Sequence, residues 1–372
     1  MTMYLLAVPA ILIWLTILIL PWRPWSTRES LDGDPLTQND LSDITVLIPA
    51  RNEAEVISET LESLQQQDEK INVVLVNDQS DDDTFTIANQ SGLENLVIVE
   101  GKTLPDGWSG KLWALEQGRT CIDTKYILLL DADIKLTPGI ISSLLAKIKD
   151  HHFDMVSLMA FLRMQNFWEK LLIPAFIYFF KLLYPFHLSN SPASSIAAAA
   201  GGCILVKKET LQGIGGFEAI RNDLIDDCAL ARQIKKTGGK TWIGLSHSAI
   251  SLRHYDSLKS VWDMVARTAF TQLRYSISLL ILCTVLMILS FLIPVILLFT
   301  PLFWTKIISV VSLMIMFISY LPTLKYYSVE YYWCLFLPVT GFLYLLMTWS
   351  SAYHHYFKHG AHWKNRHYAI PE

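Results

Sequence analysis

The segment Tyr126-Ile127-Leu128-Leu129-Leu130-Asp131-Ala132-Asp133 decides how this 372-residue chain is read. Five uninterrupted apolar residues leave no face for water, so they describe a strand buried on both sides, as in a parallel sheet. Two carboxylates, two residues apart, follow at its carboxyl end. The same pattern recurs upstream. Residues 44–49, 71–77 and 96–99 are short apolar strands, and residues 54–66, 82–90, 111–120 and 138–149 carry helical periodicity. This alternation predicts an α/β domain with a doubly wound, mostly parallel sheet. Such sheets bind ligands beyond the carboxyl ends of their strands. The places to search are therefore residues 50–53, 78–83, 101–110 and 131–133.

Composition adds a second compartment. Charged residues make up 17% of the chain and hydrophobic ones 52%, against about 25% charged in a soluble domain. The deficit lies at the two ends: residues 1–22, 275–305, 307–324 and 331–357 contain no Lys, Arg, Asp or Glu. A crossing helix needs about 20 apolar residues. The expected order is an N-terminal membrane anchor (1–22), a linker (23–43), a catalytic domain (44–256) and about three transmembrane helices within 276–352, followed by a basic tail (353–372). Residues 166–188, which include Glu169, Lys170, Pro174 and Lys181, are expected to lie at the membrane interface, with a buried core helix as the alternative, and residues 257–275 are expected at the interface too.

Arg23 and Arg28 follow the first apolar run directly, as they would after an uncleaved anchor. They place the catalytic domain on the cytoplasmic side of the inner membrane. An anchor plus three crossings would put the basic tail on the other side, so one run is expected to be re-entrant or interfacial. His354, His355, His359, His362 and His367 crowd that tail without a defined ligand spacing and read as a basic interfacial segment. Five scattered cysteines indicate reduced thiols, with neither a disulfide frame nor a zinc site. A net charge of −4 gives no footprint for nucleic acid.

Asp131 and Asp133 offer oxygen donors to Mg²⁺ or Mn²⁺, cations that share their coordination with substrate phosphates. A strand-ending Asp that caps a turn would look the same. Asp78 ends the second strand, where it can accept hydrogen bonds from a base or ribose. Asp81, Asp82 and Asp83 suit the start of the next helix. Glu53, after the first strand, can meet a ribose hydroxyl or simply open a helix. His254 is a further candidate for a phosphate or metal.

Together these residues resemble the family 2 glycosyltransferases, whose nucleotide-diphospho-sugar-binding fold is of the Rossmann-like GT-A type. Pro49-Ala50-Arg51-Asn52-Glu53 stands where that family has Pro-x-x-Asn-Glu, and Asn77-Asp78-Gln79-Ser80 where it has Asp-Asp-x-Ser. Asp131-Ala132-Asp133 matches its Asp-x-Asp. The resemblance implies donor binding by Glu53, Asp78 and Asp131, and a divalent cation on Asp131 and Asp133. Trp108-Ser109-Gly110-Lys111-Leu112-Trp113-Ala114-Leu115 is similar to the Gly-Lys-x-x-Ala-Leu element of the lipid-directed branch, which implies that Lys111 lies near the diphosphate; a solvated lysine in a first helical turn is the plainer reading.

Gly215-Gly216-Phe217 looks like the acceptor loop, with Gly216 and Phe217 positioning the acceptor. Asp226-Asp227 looks like the acid pair that follows. By resemblance Asp227 is the general base, which takes the proton of the attacking hydroxyl, and Asp226 positions it. Thr271-Gln272-Leu273-Arg274-Tyr275 stands in place of Gln-x-x-Arg-Trp. Arg274 is kept as a donor-phosphate contact, while the lost Gln and Trp argue against a processive synthase.

Within the family the chain most resembles the hopene-associated glycosyltransferases, through Trp108 to Ala114, Arg163-Met164-Gln165, the run Arg267 to Tyr275, and Trp363-Lys364-Asn365-Arg366-His367-Tyr368. The implied activity is inverting transfer from a nucleotide-diphosphate sugar, a uridine diphosphate sugar by resemblance, to a membrane lipid such as a hopanoid or other polyisoprenoid. A polyprenyl-phosphate sugar transferase, a polysaccharide synthase and a non-catalytic membrane scaffold or permease are the alternatives.

Overall fold

In the computed structural model, which describes residues 2–37, 39–68, 70–357, 362–363 and 366–367, the apolar runs become strands of one eight-stranded sheet. In chain order these are β1 (Ile44–Ala50), β2 (Asn72–Asn77), β3 (Leu96–Glu100), β4 (Tyr126–Leu130), β5 (Ile134–Leu136), β6 (Met155–Phe161), β7 (Cys203–Lys207) and β8 (Thr241–Ser251). Their order across the sheet is β3-β2-β1-β4-β7-β6-β8-β5. The first four pair in parallel. Beyond β4 the sheet turns mixed: β7 is antiparallel to both β4 and β6, β6 and β8 are parallel, and β5 runs antiparallel to β8.

Side chains alternate between two cores. Ile44, Val46, Ile48, Leu128 and Leu130 face one core, with the helices Ile57–Gln65 and Ile140–His151. Leu47, Ile127 and Leu129 face the other, with Gly110–Arg119 and Asp226–Lys236. Continuous apolar strands are thus explained by cover on both faces.

The polar stretch expected to be a free linker is instead strapped along β8. Leu31 N–H donates to Leu245 C=O at 3.0 Å, Leu245 N–H to Glu29 C=O at 2.8 Å, and Gly33 N–H to Ser248 Oγ at 2.8 Å. Backbone hydrogen bonds need no apolar side chains, so composition alone does not reveal them.

Glu29–Arg163 and Phe186–Arg253 form this sheet unit. Met1–Arg28, Met164–Pro185 and His254–Ala361 form a separate helical unit. Among the described residues three of its helices are long and apolar enough to cross a membrane: Ile277–Leu297, Phe303–Tyr326 and Tyr331–Phe357, while Met3–Ile19 is shorter. A π turn at Ile288–Leu292 precedes Pro294 in the first of them. Ser290 C=O would be paired with residue 294 in a regular helix, but proline has no N–H. The Trp14 indole takes its place at 2.9 Å.

Trp349 Nε1 donates to Thr284 Oγ1 at 2.9 Å, and the Tyr275 ring stacks on His355 at 4.3 Å. Ile277–Leu297 and Leu337–Phe357 are therefore antiparallel neighbours, and the latter ends level with the start of the former.

The charged residues of the apolar helix Phe167–Leu183 are all engaged. Glu169 forms a capping box with Asn166 and accepts the Tyr255 N–H at 3.1 Å. Lys170 pairs with Glu330 at 2.9 Å, and buried Lys181 donates to Ser26 C=O. Most of this helix is buried. Trp262, on the helix Leu258–Ala266, donates to Ser350 Oγ at 3.0 Å. Of the histidine-rich tail, only His354 and His355 have described side chains.

Candidate active site

The carboxyl ends of β1, β2 and β4 gather the expected acids. Their loops are knitted together first. Asn52 and Gln79 adopt left-handed backbone, with φ of 52° and 54°, a conformation that Asn tolerates better than most residues. Asp81 N–H donates to Asn52 Oδ1 at 2.8 Å, Asn52 N–H to Ser80 Oγ at 3.1 Å, and Glu53 N–H to Thr84 Oγ1 at 2.8 Å. Arg51 donates to the Asp78 and Gln79 carbonyls at 2.6 and 2.9 Å. Asp78 itself is fully buried, and a Cβ on Gly101 would come within 3.4 Å of its Oδ1. Asn77, where the family pattern has an acid, donates to Glu100 Oε2 at 3.1 Å and accepts the Ser80 N–H at 3.3 Å.

The Asp131/Asp133 pair is divided between two cations. Lys111 Nζ, from the first turn of Gly110–Arg119, meets Asp131 Oδ1 at 2.7 Å and Asp226 Oδ2 at 3.4 Å. Arg253, just beyond β8, meets Asp133 Oδ2 through Nε at 3.0 Å and lies 3.9 Å from Glu53 Oε1. Lys111 therefore links the β4 acid to the acid pair of another helix, a placement the sequence does not reveal.

A cleft opens on the Lys111 side, lined by Lys111, Asp131, Gly201, Phe217, Asp226 and Asp227 among others. Burial, then Asp226, pushes the Asp227 carboxyl up to about 7. Burial also raises Asp131, with Lys111 opposing and Asp133 reinforcing. For Lys111, burial disfavours the charge, but Asp131, Asp226 and Asp227 outweigh it and raise its pKa above the usual lysine range. Burial leads in each case, and the ammonium among three carboxylates then works against it, lowering the acids and being raised by them.

Sequence reading missed what builds the cleft floor. The alanine run 197–200 is an extended, buried segment leading to Gly201. Ser189 Oγ accepts the Ala198 N–H at 2.9 Å, and Ser157 Oγ accepts the Ala200 N–H at 2.8 Å. Lys235 Nζ fixes the preceding turn through the carbonyls of Ser191, Ser194 and Ile196. A Cβ at Gly201 would lie 3.2 Å from Lys111 Nζ and 3.4 Å from Asp227 Oδ2. Small residues here keep the cleft open.

The expected acceptor loop is clamped from behind. Phe217 N–H donates to Glu116 Oε2 at 3.0 Å, and Glu116 is held by Arg119. Gly216 has φ +68°, and a Cβ there would meet Glu116 and Arg119 at 3.0 and 3.1 Å. Arg274 belongs to the helical unit, where it and Tyr275 occupy consecutive left-handed positions, φ 51° and 54°. His254 belongs to that unit too.

Among the described residues no group of three or more His, Cys, Asp or Glu is placed to hold a metal. Two carboxylates are nevertheless a fitting donor set for Mg²⁺ or Mn²⁺, which take one or two protein carboxylates and complete their shell with phosphate and water. Both acids already attract a positive group, so the local field favours a cation.

Residues 45–215 match Glycosyl transferase family 2. A stretch of 111 residues is 36% identical to the 4,4'-diaponeurosporenoate glycosyltransferase of one Staphylococcus aureus strain, covering 30% of this chain and 28% of that protein. The protein of the same name from another strain is 35% identical over the same length. The match thus spans less than a third of these relatives. In fold the chain is similar to the mannosyltransferase PcManGT from Pyrobaculum calidifontis, solved with GDP-Man and Mn²⁺, at a TM-score of 0.58 and 18% identity over 95% of this chain and 99% of that one. The acids at the strand ends and the family match agree: residues 45–215 are those of a glycosyltransferase family 2 domain, in a chain of the GT-A fold.

Proposed function

We propose that the protein transfers a sugar from a nucleotide-diphosphate sugar to a lipid acceptor in the bilayer, with inversion at the anomeric carbon. The observation that carries this reading is Asp227: a half-buried carboxylate raised to about 7, on the wall of the cleft beside Gly201. A base with a pKa near the working pH is suited to removing a hydroxyl proton as the new bond forms. Asp226 shares Lys111 with Asp131 and so orients Asp227 toward the β4 edge. Glu53 and Asp78 are assigned to the nucleoside, and Gly216 and Phe217 to the acceptor side.

Asp131 and Asp133 would hold a divalent cation. Bound there, it neutralises charge on the leaving diphosphate. Arg274 remains a proposed diphosphate contact. A uridine diphosphate sugar and a hopanoid or other polyisoprenoid are the proposed donor and acceptor. The apolar helices support a membrane enzyme, with the catalytic domain proposed to lie on the cytoplasmic side of the inner membrane. The stacking of Tyr275 on His355 supports a last helix, Leu337–Phe357, that ends on the membrane face where residue 276 starts.

Asp227→Asn in the full-length membrane protein tests the reading. Loss of transfer with retained donor binding supports it. Retained transfer removes Asp227 as base. That outcome favours an acceptor already anionic at the attacking oxygen, a polyprenyl phosphate or a carboxylate, which has no proton to lose.

A further inference from the structure

The short helical turn Gly216–Ile220 hangs from the helix Gly110–Arg119 at both ends. At its start, Phe217 N–H donates to Glu116 Oε2 at 3.0 Å, and Arg119 grips the same carboxylate with both Nε and Nη2. Just past its end, Ser109 N–H donates to Arg221 C=O at 2.9 Å. The side chains of Glu116 and Arg119 are only 16% and 21% exposed, so water competes weakly for these bonds. Between the two anchors, Phe217 and Ile220 are buried and line the cleft that holds Asp227, together with Leu112 and Leu115 of the suspending helix. Four apolar side chains thus make a wall beside the acid.

We propose that Glu116 is a positioning residue for the acceptor: through the Phe217 N–H it fixes the apolar wall of Phe217 and Ile220 beside Asp227. The inference deepens the reading of this cleft as the place where Asp227 meets an acceptor hydroxyl, and it rests on that reading. The four wall side chains offer neither charge nor hydrogen bond, so they suit the apolar body that carries the hydroxyl, as in a lipid alcohol. Glu116 does not line the cleft and acts through Phe217. A carboxylate suits that task because it accepts from a backbone N–H and a guanidinium fork together. Small displacements of a bound reactant cost much of the rate that orientation supplies. The donor side is held separately. Lys111, at the far end of the same helix, is fixed by its own ion pairs to Asp131 and Asp226.

The test combines amide hydrogen exchange with steady-state kinetics on the full-length protein in detergent. The donor is radiolabelled uridine diphosphate glucose, and the acceptor is a total lipid extract of the source cells dispersed in the same detergent. Glu116→Ala should speed exchange of the Phe217 amide by roughly 10-fold or more, the scale of a lost hydrogen bond to a charged group, and leave residues 226–236 at parental rates. It should raise the apparent KM for the lipid extract by roughly 5- to 10-fold with the donor KM unchanged. Glu116→Gln keeps an oxygen for the Phe217 N–H and should lie closer to the parent in both measurements. Parental exchange at Phe217, a donor KM that rises together with the lipid KM, or a Gln variant as impaired as the Ala variant overturns the proposal. If Glu116→Ala does not fold, Gly216→Ala decides, because a Cβ there would press on Glu116 at 3.0 Å from a φ of +68°. Faster exchange at Phe217 with only the lipid KM raised supports the proposal, and parental values for both overturn it. A parent that labels no lipid sinks the lipid-acceptor reading and the proposal with it; an active parent whose variants behave as the parent does sinks the role of Glu116 alone.

Discussion

The two halves of the site handle the same problem differently. On one side Lys111 is shared by Asp131 and Asp226 and borders a cleft that also holds Asp227 and Gly201. On the other, Arg253 spans Asp133 and Glu53 at the strand edge, outside the set of residues lining that cleft. One cation per carboxylate lets a single Asp-x-Asp serve two compartments. The lysine half couples the strand-end acid to the acid pair assigned to proton transfer. The arginine half couples it to the acid assigned to the nucleoside. Substitutions in the first half should act on turnover, and those in the second on donor binding.

The largest expected effect is Asp227→Asn, which should lower kcat by roughly 10²- to 10⁴-fold, the usual worth of a general base, with little change in donor affinity measured by calorimetry. Lys111→Met comes next. It leaves three carboxylates without their shared ammonium, and turnover should fall while the pH profile moves. In the parent protein kcat/KM should rise with pH through a midpoint near 7, because Asp227 must lose its proton to act and burial holds its carboxyl there. Lys111 lowers that value, so removing it should push the midpoint to higher pH. A midpoint that stays put would separate Lys111 from Asp227 electrostatically. In the arginine half, Glu53→Gln should raise the donor KM by about 5- to 10-fold, as for the net loss of one hydrogen bond, and leave kcat nearly unchanged in steady-state assays.

How much of this was legible follows the same divide. Strands β1, β2 and β4 announce themselves because both faces are buried, and the acids at their ends follow from the rule that ligands sit at carboxyl edges. The resemblance also brought Lys111, Asp226 and Asp227 to notice, but not their meeting. Residues 111, 131 and 226 converge because β7 enters antiparallel beside β4, and pairing of distant segments leaves no local pattern. The alanine run 197–200 showed only low complexity. Its hydrogen bonds come from Ser157 and Ser189, which nothing in the run specifies. Arg253 belongs to no motif, and a cation directly after a long strand at the ligand edge is the one signal it gives.

Asn77 offers the smallest and cleanest test of how the arginine-half edge tolerates charge. The family pattern has an acid there, yet in this chain the amide donates to Glu100 at 3.1 Å while its oxygen accepts the Ser80 N–H. Only an amide can do both at once with an ionised glutamate opposite. Asn77→Asp would keep the second bond and replace the first by two facing carboxylates. The expected cost is about 1 kcal/mol of unfolding free energy at pH 8, read from denaturant titration of the detergent-solubilised chain. Mutual repulsion raises the folded-state pKa of the new pair, so the cost should shrink as pH falls and one carboxyl becomes a donor again. Glu100→Gln in the same chain should restore the parent's stability without lowering the pH. If Asn77→Asp alone is neutral at pH 8, the departure from the family's acid is not explained by Glu100, and the sequence difference at this strand end has no electrostatic cause.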